Sequence, residues 1–234
     1  MRIDVLTLFP GMFDSFMGES LMKRALAKGF LSVGFTDIRE YSTNKHHKVD
    51  DYPYGGGKGL VMSPEPVVAA FESIEKTGCG KTIFLSPGGK VLTQEKLKEL
   101  SGYDQLILIC GHYEGLDQRA IDLIADEEIS IGDYILTGGE VPAMILMDGV
   151  SRYVDGVVGS MESVLEDSLT DGLLKYPQYT NPRTFRGEDV PDVLLSGHHQ
   201  NIATWRKEQS HLRTRKQRPD LWRRYLRSKK KEGN

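Results

Sequence analysis

The sequence predicts an α/β domain built on a parallel sheet, followed by a small, mainly helical basic module. Three observations carry that prediction. Apolar, β-rich runs alternate with amphipathic stretches from the first residues to about position 154, the pattern of βαβ units. Three of those runs pass straight into glycine: KTIFLSPGG (81–89), DQLILICGHYEG (104–115) and IGDYILTGGEVPAM (131–144). Charge is unevenly divided: residues 197–234 hold 12 Lys and Arg against 3 acids, whereas residues 1–196 carry 18 bases and 30 acids.

In chain order, MRIDVLTLFP has the alternation of a strand over about residues 2–8, and an amphipathic helix is expected over about 11–28. LSVGFTDI (31–38) reads as a second strand, followed by a long polar loop. At Ser63-Pro64-Glu65 a serine in the capping position and a proline in the first turn start a helix bearing Val67, Val68, Ala70, Phe71 and Ile74. Strand 82–86, helix 93–101, strand 105–110, helix 116–125, a short strand at 128–131 and helix 141–154 continue the alternation. GVVGSMESVLEDSLTDGLLKY (156–176) is acidic and rich in Ser and Gly. From composition alone its Glu162, Glu166, Asp167 and Asp171 belong to a solvated linker. Pro177, Pro182 and Pro191 favour an extended path into LLSGHH, and Pro219 can begin a last helix. The expected organisation is a domain over residues 1–160, a linker over 161–176 and a basic helical domain over 177–234.

With 234 residues, 39% hydrophobic and 27% charged, the chain has an ordinary globular composition. No apolar run reaches the roughly 18 residues needed to span a bilayer, and the first ten residues lack a signal peptide's apolar centre, so a cytoplasmic location without membrane partners is expected. Cys79 and Cys110 fit reduced structural thiols. His46-His47 and His198-His199 lack the further Cys or His of a zinc site, so no metal ligands are assigned. In the tail, Trp205, Leu212, Leu221, Trp222, Tyr225 and Leu226 are interleaved with Arg206, Lys207, Arg213, Arg215, Arg223, Arg224 and Arg227. That is a helical module suited to neutralising nucleic-acid phosphates; the terminal KKKEGN reads as a solvated end.

Loops that follow neighbouring parallel strands converge at the carboxyl edge of the sheet, where α/β folds bind ligands. YGGGKGL (54–60) is not a nucleotide-triphosphate loop, because Tyr52 stands where its first glycine belongs and Gly59 where Ser or Thr would bind magnesium. No dinucleotide fingerprint follows the first strand. What remains is a cradle of glycines, main-chain groups and Tyr113 or Tyr134, suited to a purine nucleoside and poor in lysine.

The ordered motifs PYGGGKGL (53–60), LSPGGKVL (85–92), GHYEGLDQR (111–119), IGDYILTGGEVPAM (131–144), VSRY (150–153), EDSL (166–169) and VLLSGHH (193–199) resemble the bacterial tRNA guanine-37 N1-methyltransferases, from the first strand to about Tyr225. The resemblance implies the SPOUT fold, a parallel α/β domain with a deep trefoil knot, acting as a homodimer whose subunits share the active site. It implies S-adenosylmethionine held by Ser86 and Pro87, by Gly111, Tyr113, Glu114 and Gly115, and by Ile131, Gly132, Asp133, Tyr134, Ile135, Leu136, Gly138, Gly139 and Pro142. It also implies a dependence on Mg2+, for which the sequence offers no ligand cluster.

Guanine N1 carries a proton at neutral pH, so methylation needs a base there and a positive charge or donor at O6. The resemblance matches Asp167 to the base and Arg152 to the group at O6; spacing alone does not separate Asp167 from Glu166. It further implies the tRNA anticodon loop as partner, with guanine 37 methylated where base 36 is also guanine. For Glu114 two readings stand: a reader of guanine edges, or a structural residue that pairs with Arg119 or caps the next helix. His112, Gly88, Gln178 and Asn181 depart from the commoner family residues and weaken transfer of detailed RNA contacts. Two other classes are weighed. Another SPOUT enzyme acting on ribosomal RNA or a ribose hydroxyl would not need Asp167 in that place, and a non-catalytic RNA-binding protein would not need the cradle.

Overall fold

A computed structural model describes residues 1–160, Val164 and residues 167–232. The chain forms two compact units, Met1–Met161 and Glu162–Asn234.

The first unit is a five-stranded sheet with strands β1 (Arg2–Thr7), β2 (Ser32–Asp37), β5 (Gly80–Val91), β6 (Gln105–Cys110) and β7 (Glu127–Ser130) in the order β2-β1-β6-β5-β7. Every pairing in it is parallel. Burial on both faces explains the continuous apolar runs of the sequence. Along β6, Leu106, Leu108 and Cys110 join one core with Ile3, Val5, Ile83 and Leu85, while Ile107 and Ile109 point into the other with Leu6 and Phe84. Helices α2 (Ser20–Ala27), α4 (Gln94–Leu100) and α6 (Glu140–Ser151) cover the first face through Met22, Ala25, Leu97, Leu100, Ala143, Leu146, Met147 and Val150. Helices α3 (Pro64–Glu72) and α5 (Gln118–Ile124) cover the second through Val67, Ala70, Ala120 and Ile124.

The structure departs from the sequence reading in several places. The expected helix over 11–28 is a 3-10 turn (Pro10–Phe13), α1 (Asp14–Gly18) and α2, broken because Glu19 is extended and Ser20 takes a left-handed φ of 50°. Ser63 stands at the start of α3 with extended backbone, yet its hydroxyl makes no capping bond and its N–H donates to Val49 O instead. The polar loop holds a short antiparallel pair, β3 (Asp50–Asp51) with β4 (Val61–Met62). Strand β5 does not stop at Ser86. Its pairing with β7 slips between Leu85 and Lys90, so Ser86–Gly89 bulges out and Lys90 and Val91 pair again with Ile129 and Ser130. Gly89 permits the bulge, since a Cβ there would lie 2.4 Å from Glu128 C and Ile129 N.

The second unit contains a short pair, β8 (Thr184–Phe185) with β9 (Glu188–Asp189), then α7 (Asp192–Leu195), α8 (His199–Gln217) and α9 (Pro219–Glu232). The hairpin was not expected in the proline-rich stretch; Gly187, with φ of 88°, supplies its turn. Pro219 opens α9 as the sequence indicates. His211 of α8 packs its ring 5.3 Å from Trp222 and 5.5 Å from Tyr225 of α9, so the interleaved aromatics join the two helices while Arg206, Lys207, Arg213, Arg215, Arg223 and Arg224 face solvent. Ahead of Pro219, Arg218 pairs with Asp220 at 2.7 Å and holds that carboxyl down to about 2.

Candidate active site

Three neighbouring strands, β6, β5 and β7, end side by side and deliver their loops to one edge of the sheet. The loop after β7 then passes the end of β5 and reaches β6: a single antiparallel bridge pairs Gly138 with His112, and Gly139 N–H donates to Gly111 O at 2.8 Å. Gly139 sits hard on β6, where a Cβ would lie 2.6 Å from Cys110 Cα and 2.9 Å from Gly111 N. This close approach requires glycine. The first loop is tied to the third strand by a short hydrogen bond from Ser86 Oγ to Glu128 Oε2.

The loops enclose a cavity of about 430 Å³, within the range of small-molecule sites. Of the residues assigned to the cofactor, Ser86 and Pro87, Gly111, Tyr113, Glu114 and Gly115, Ile131, Gly132, Tyr134, Ile135, Leu136, Gly138, Gly139 and Pro142 line this cavity. Asp133 lies within the third loop, exposed and outside the lining. Phe84, Leu85, His112, Glu128, Ser130 and Thr137 line it too, and the sequence reading assigned none of them to the cofactor although they stand in or beside the quoted motifs. Strand direction was the signal available for Phe84 and Leu85, which stand in β5 just before the bulge at Ser86–Gly89.

The walls mix apolar side chains with main-chain groups at glycines, the combination that suits an adenine face and its edges. Tyr134, Ile135 and Leu136 are exposed apolar groups at the mouth. His112 Nδ1 is shielded from solvent and has no hydrogen-bond partner among the described residues, its ring set against Phe9 at 5.0 Å and Tyr113 at 4.9 Å. A buried polar atom of this kind at a cavity wall calls for a ligand group. Tyr113 itself has a left-handed φ of 59°, a strained conformation held by the surrounding loop. Below the cradle, the buried carboxylate of Glu140 accepts a hydrogen bond from Thr7 Oγ1 at 2.8 Å. Burial and, second, the nearby Glu140 push the Cys110 thiol well above its ordinary range, so it stays protonated.

Glu114 does neither of the structural tasks considered for it. Asp117 caps α5 through Arg119 N and pairs with the Arg119 guanidinium at 2.7 Å. Glu114 instead packs over Gly59, where a Cβ would come within 2.5 Å of its side chain, bringing the YGGGKGL loop against the second cradle loop.

A family model described as tRNA (Guanine-1)-methyltransferase TrmD matches residues 1–224. The chain belongs to the TrmD family. Proteins called tRNA (guanine-N(1)-)-methyltransferase are similar over nearly their whole lengths. One from Ruminiclostridium cellulolyticum is 55% identical over 224 residues, covering 95% of this chain and 96% of the relative. One from Clostridium perfringens is 54% identical over 222 residues (95% and 93%), and one from Clostridium botulinum 52% over 225 residues (96% and 93%).

In this TrmD-family protein the two residues matched to chemistry lie in different units. Arg152 caps the carboxyl end of α6, half-buried, where a positive charge complements the helix dipole; it is outside the lining of the cradle cavity. Asp167 lines a second cavity, wholly within the second unit, with Lys175, Tyr176, Arg206, Lys207 and His211. Lys175 Nζ donates to Asp167 Oδ1 at 3.5 Å. Glu166, the competing carboxylate, lies outside the described residues. His46, His47, His198 and His199 are exposed, and among the described residues no group of three His, Cys, Asp or Glu could hold a metal ion. No helix among them is long and apolar enough to cross a membrane.

Proposed function

We propose that this TrmD-family methyltransferase transfers the methyl group of S-adenosylmethionine to N1 of guanine 37 in tRNA, where base 36 is guanine. The observation that carries the reading is the cradle: glycine-bearing loops of three adjacent parallel strands enclose a partly apolar cavity in a chain matched to the family over residues 1–224. The cofactor supplies an electrophilic methyl on a sulfonium. The loops 86–89, 111–116 and 131–139 bind and orient it, with the unpartnered His112 Nδ1 and the main-chain groups beside Gly138 and Gly139 available to its polar edges. Asp167 takes the N1 proton as the methyl transfers, and Arg152 neutralises charge growing on O6.

The finer architecture belongs to the same proposal. The passage of residues 131–139 across the end of β5 supports the trefoil knot of SPOUT proteins. A homodimer would combine the cradle of one subunit with the RNA-binding domain (177–234) of the other, the linker (161–176) carrying the base, in the cytoplasm. A dependence on magnesium rests on the family resemblance alone, and no residues are assigned to it.

The test is incubation with methyl-labelled S-adenosylmethionine and two transcripts of one tRNA, G36-G37 and G36-A37, with the labelled base mapped by nuclease digestion. Label as 1-methylguanine in the first alone is the expected result; label in ribose, or in both transcripts, would overturn it. The basic module gives a separate expectation. Arg215 and Arg223 are exposed on α8 and α9, so replacing both with Gln should weaken tRNA binding and reduce the slope of log affinity against log salt by roughly 1.5. An unchanged slope would remove these residues from the phosphate contact.

A further inference from the structure

The segment that carries Asp167 is fastened to the basic helix α8 by side chains the reaction itself does not require. Thr214 is fully buried. Its hydroxyl donates to Ser210 O at 2.7 Å and accepts from Leu174 N–H at 2.9 Å. One turn earlier, Ser210 Oγ donates to Leu174 O at 2.7 Å. Between them, Arg213 Nη1 donates to Lys175 O at 3.2 Å. Positions 210, 213 and 214 share one face of a helix, so a single stripe of α8 grips the main chain at 174–175. That main chain is in turn closed onto the aspartate: Leu169 N–H donates to Leu173 O at 2.7 Å, Lys175 N–H to Ser168 Oγ at 2.9 Å, and Lys175 Nζ to Asp167 Oδ1.

We propose that Ser210 and Thr214 are positioning residues for Asp167: two hydroxyls of the basic helix hold both main-chain groups of Leu174 and thereby set where the carboxylate stands. The inference rests on the reading of Asp167 as the base. A base must stand within hydrogen-bond reach of the N1 proton, and the described residues from Asp167 to Tyr176, with left-handed Leu169 (φ 75°) and Gly172 (φ 81°), form neither helix nor strand to hold it. Helix α8 supplies that rigidity. Because its other faces display exposed Arg215 and Lys216, the element proposed to meet RNA phosphates is also the one that aims the base. A hydroxyl that only satisfied a buried polar group would affect stability alone; one that aims the carboxylate affects turnover without affecting binding.

The experiment compares full-length Thr214→Val, Ser210→Ala, Thr214→Ser and Asp167→Ala in steady-state methylation of tRNA, with amide exchange of residues 168–175 followed alongside. Thr214→Val preserves shape but removes donor and acceptor. It should lower kcat roughly ten- to a hundredfold, the scale of a displaced catalytic group, with KM for tRNA and for S-adenosylmethionine within about twofold. Thr214→Ser should recover most of that loss, and exchange at 168–175 should quicken in the valine variant. A Thr214→Val kcat within about twofold of wild type, or a rise in tRNA KM that matches the fall in kcat, overturns the inference. Should the valine variant fail to fold, Ser210→Ala decides in the same terms, since it strands only Leu174 O. Full turnover by Asp167→Ala would bring down the base assignment and this inference with it; an inactive Asp167→Ala beside a fully active Thr214→Val would bring down this inference alone.

Discussion

Asp167→Ala should lower kcat for tRNA methylation by roughly 10²–10⁴-fold, the usual contribution of a positioned general base, with little change in S-adenosylmethionine affinity. The cofactor half of the expectation follows from the architecture: the proposed cradle residues all belong to Met1–Met161, and Asp167 to the other unit. Asp167→Asn is the sharper variant. It retains size and the capacity to accept from Lys175 Nζ but cannot take a proton, so a loss as deep as that of alanine identifies basicity as the missing property. Single-turnover methylation with saturating cofactor, beside calorimetric titration of S-adenosylmethionine, checks both halves; near-normal turnover by Asp167→Asn would assign the proton to another group.

Gly139→Ala should damage the cradle itself. The added Cβ would meet Cys110 Cα at 2.6 Å, Gly111 N at 2.9 Å and Cys110 C at 3.1 Å, main-chain atoms that cannot swing aside. The third loop must therefore lift from the end of β6, stretching the Gly139 to Gly111 hydrogen bond. Overpacking of this kind costs about 1–3 kcal/mol, which corresponds to a roughly ten- to hundredfold weaker cofactor complex if the strain falls on the bound arrangement. Gly88→Ala is the internal control. Its Cβ would meet only Ser86 Oγ at 3.5 Å and Glu128 Oε2 at 3.7 Å, ordinary contacts. Equal affinities for the two variants, measured by the same titration, would show that close approach at 139 does not shape the site.

The sheet was legible because strands covered on both faces must be apolar throughout, and such runs stand out between amphipathic helices. Convergence of the loops then followed from parallel pairing. What escaped was whatever a local pattern cannot encode. The break at Glu19–Ser20 preserves helical spacing on both sides of it, so periodicity runs on through the gap. The bulge after Leu85 depends on Gly89 passing over the backbone of β7, a contact between residues far apart in sequence. Asp117 and Glu114 are both acids near the start of α5, and only coordinates show which one caps it and which packs on Gly59. His112 stood out as an unusual residue, but its buried, unpartnered nitrogen depends on Phe9 and Tyr113 closing around it. The ties from Ser210 and Thr214 to Leu174 were invisible for the same reason: a serine and a threonine in a basic helix carry no pattern until the chain folds back across them.

The route of residues 131–139 over the end of β5 also imposes an order in time. Gly138 and Gly139 dock on β6 beyond the end of β5, so closing the loop over β6 requires β5, β6 and β7 to stand side by side. A chain emerging from the ribosome therefore completes its sheet before it possesses a pocket, and on the proposed reading partly folded forms offer the cofactor no purchase. A ligand that recognises only the finished state draws the population toward it by mass action, so a methyl donor bound in the proposed cradle would stabilise the enzyme's maturation as well as react in its chemistry.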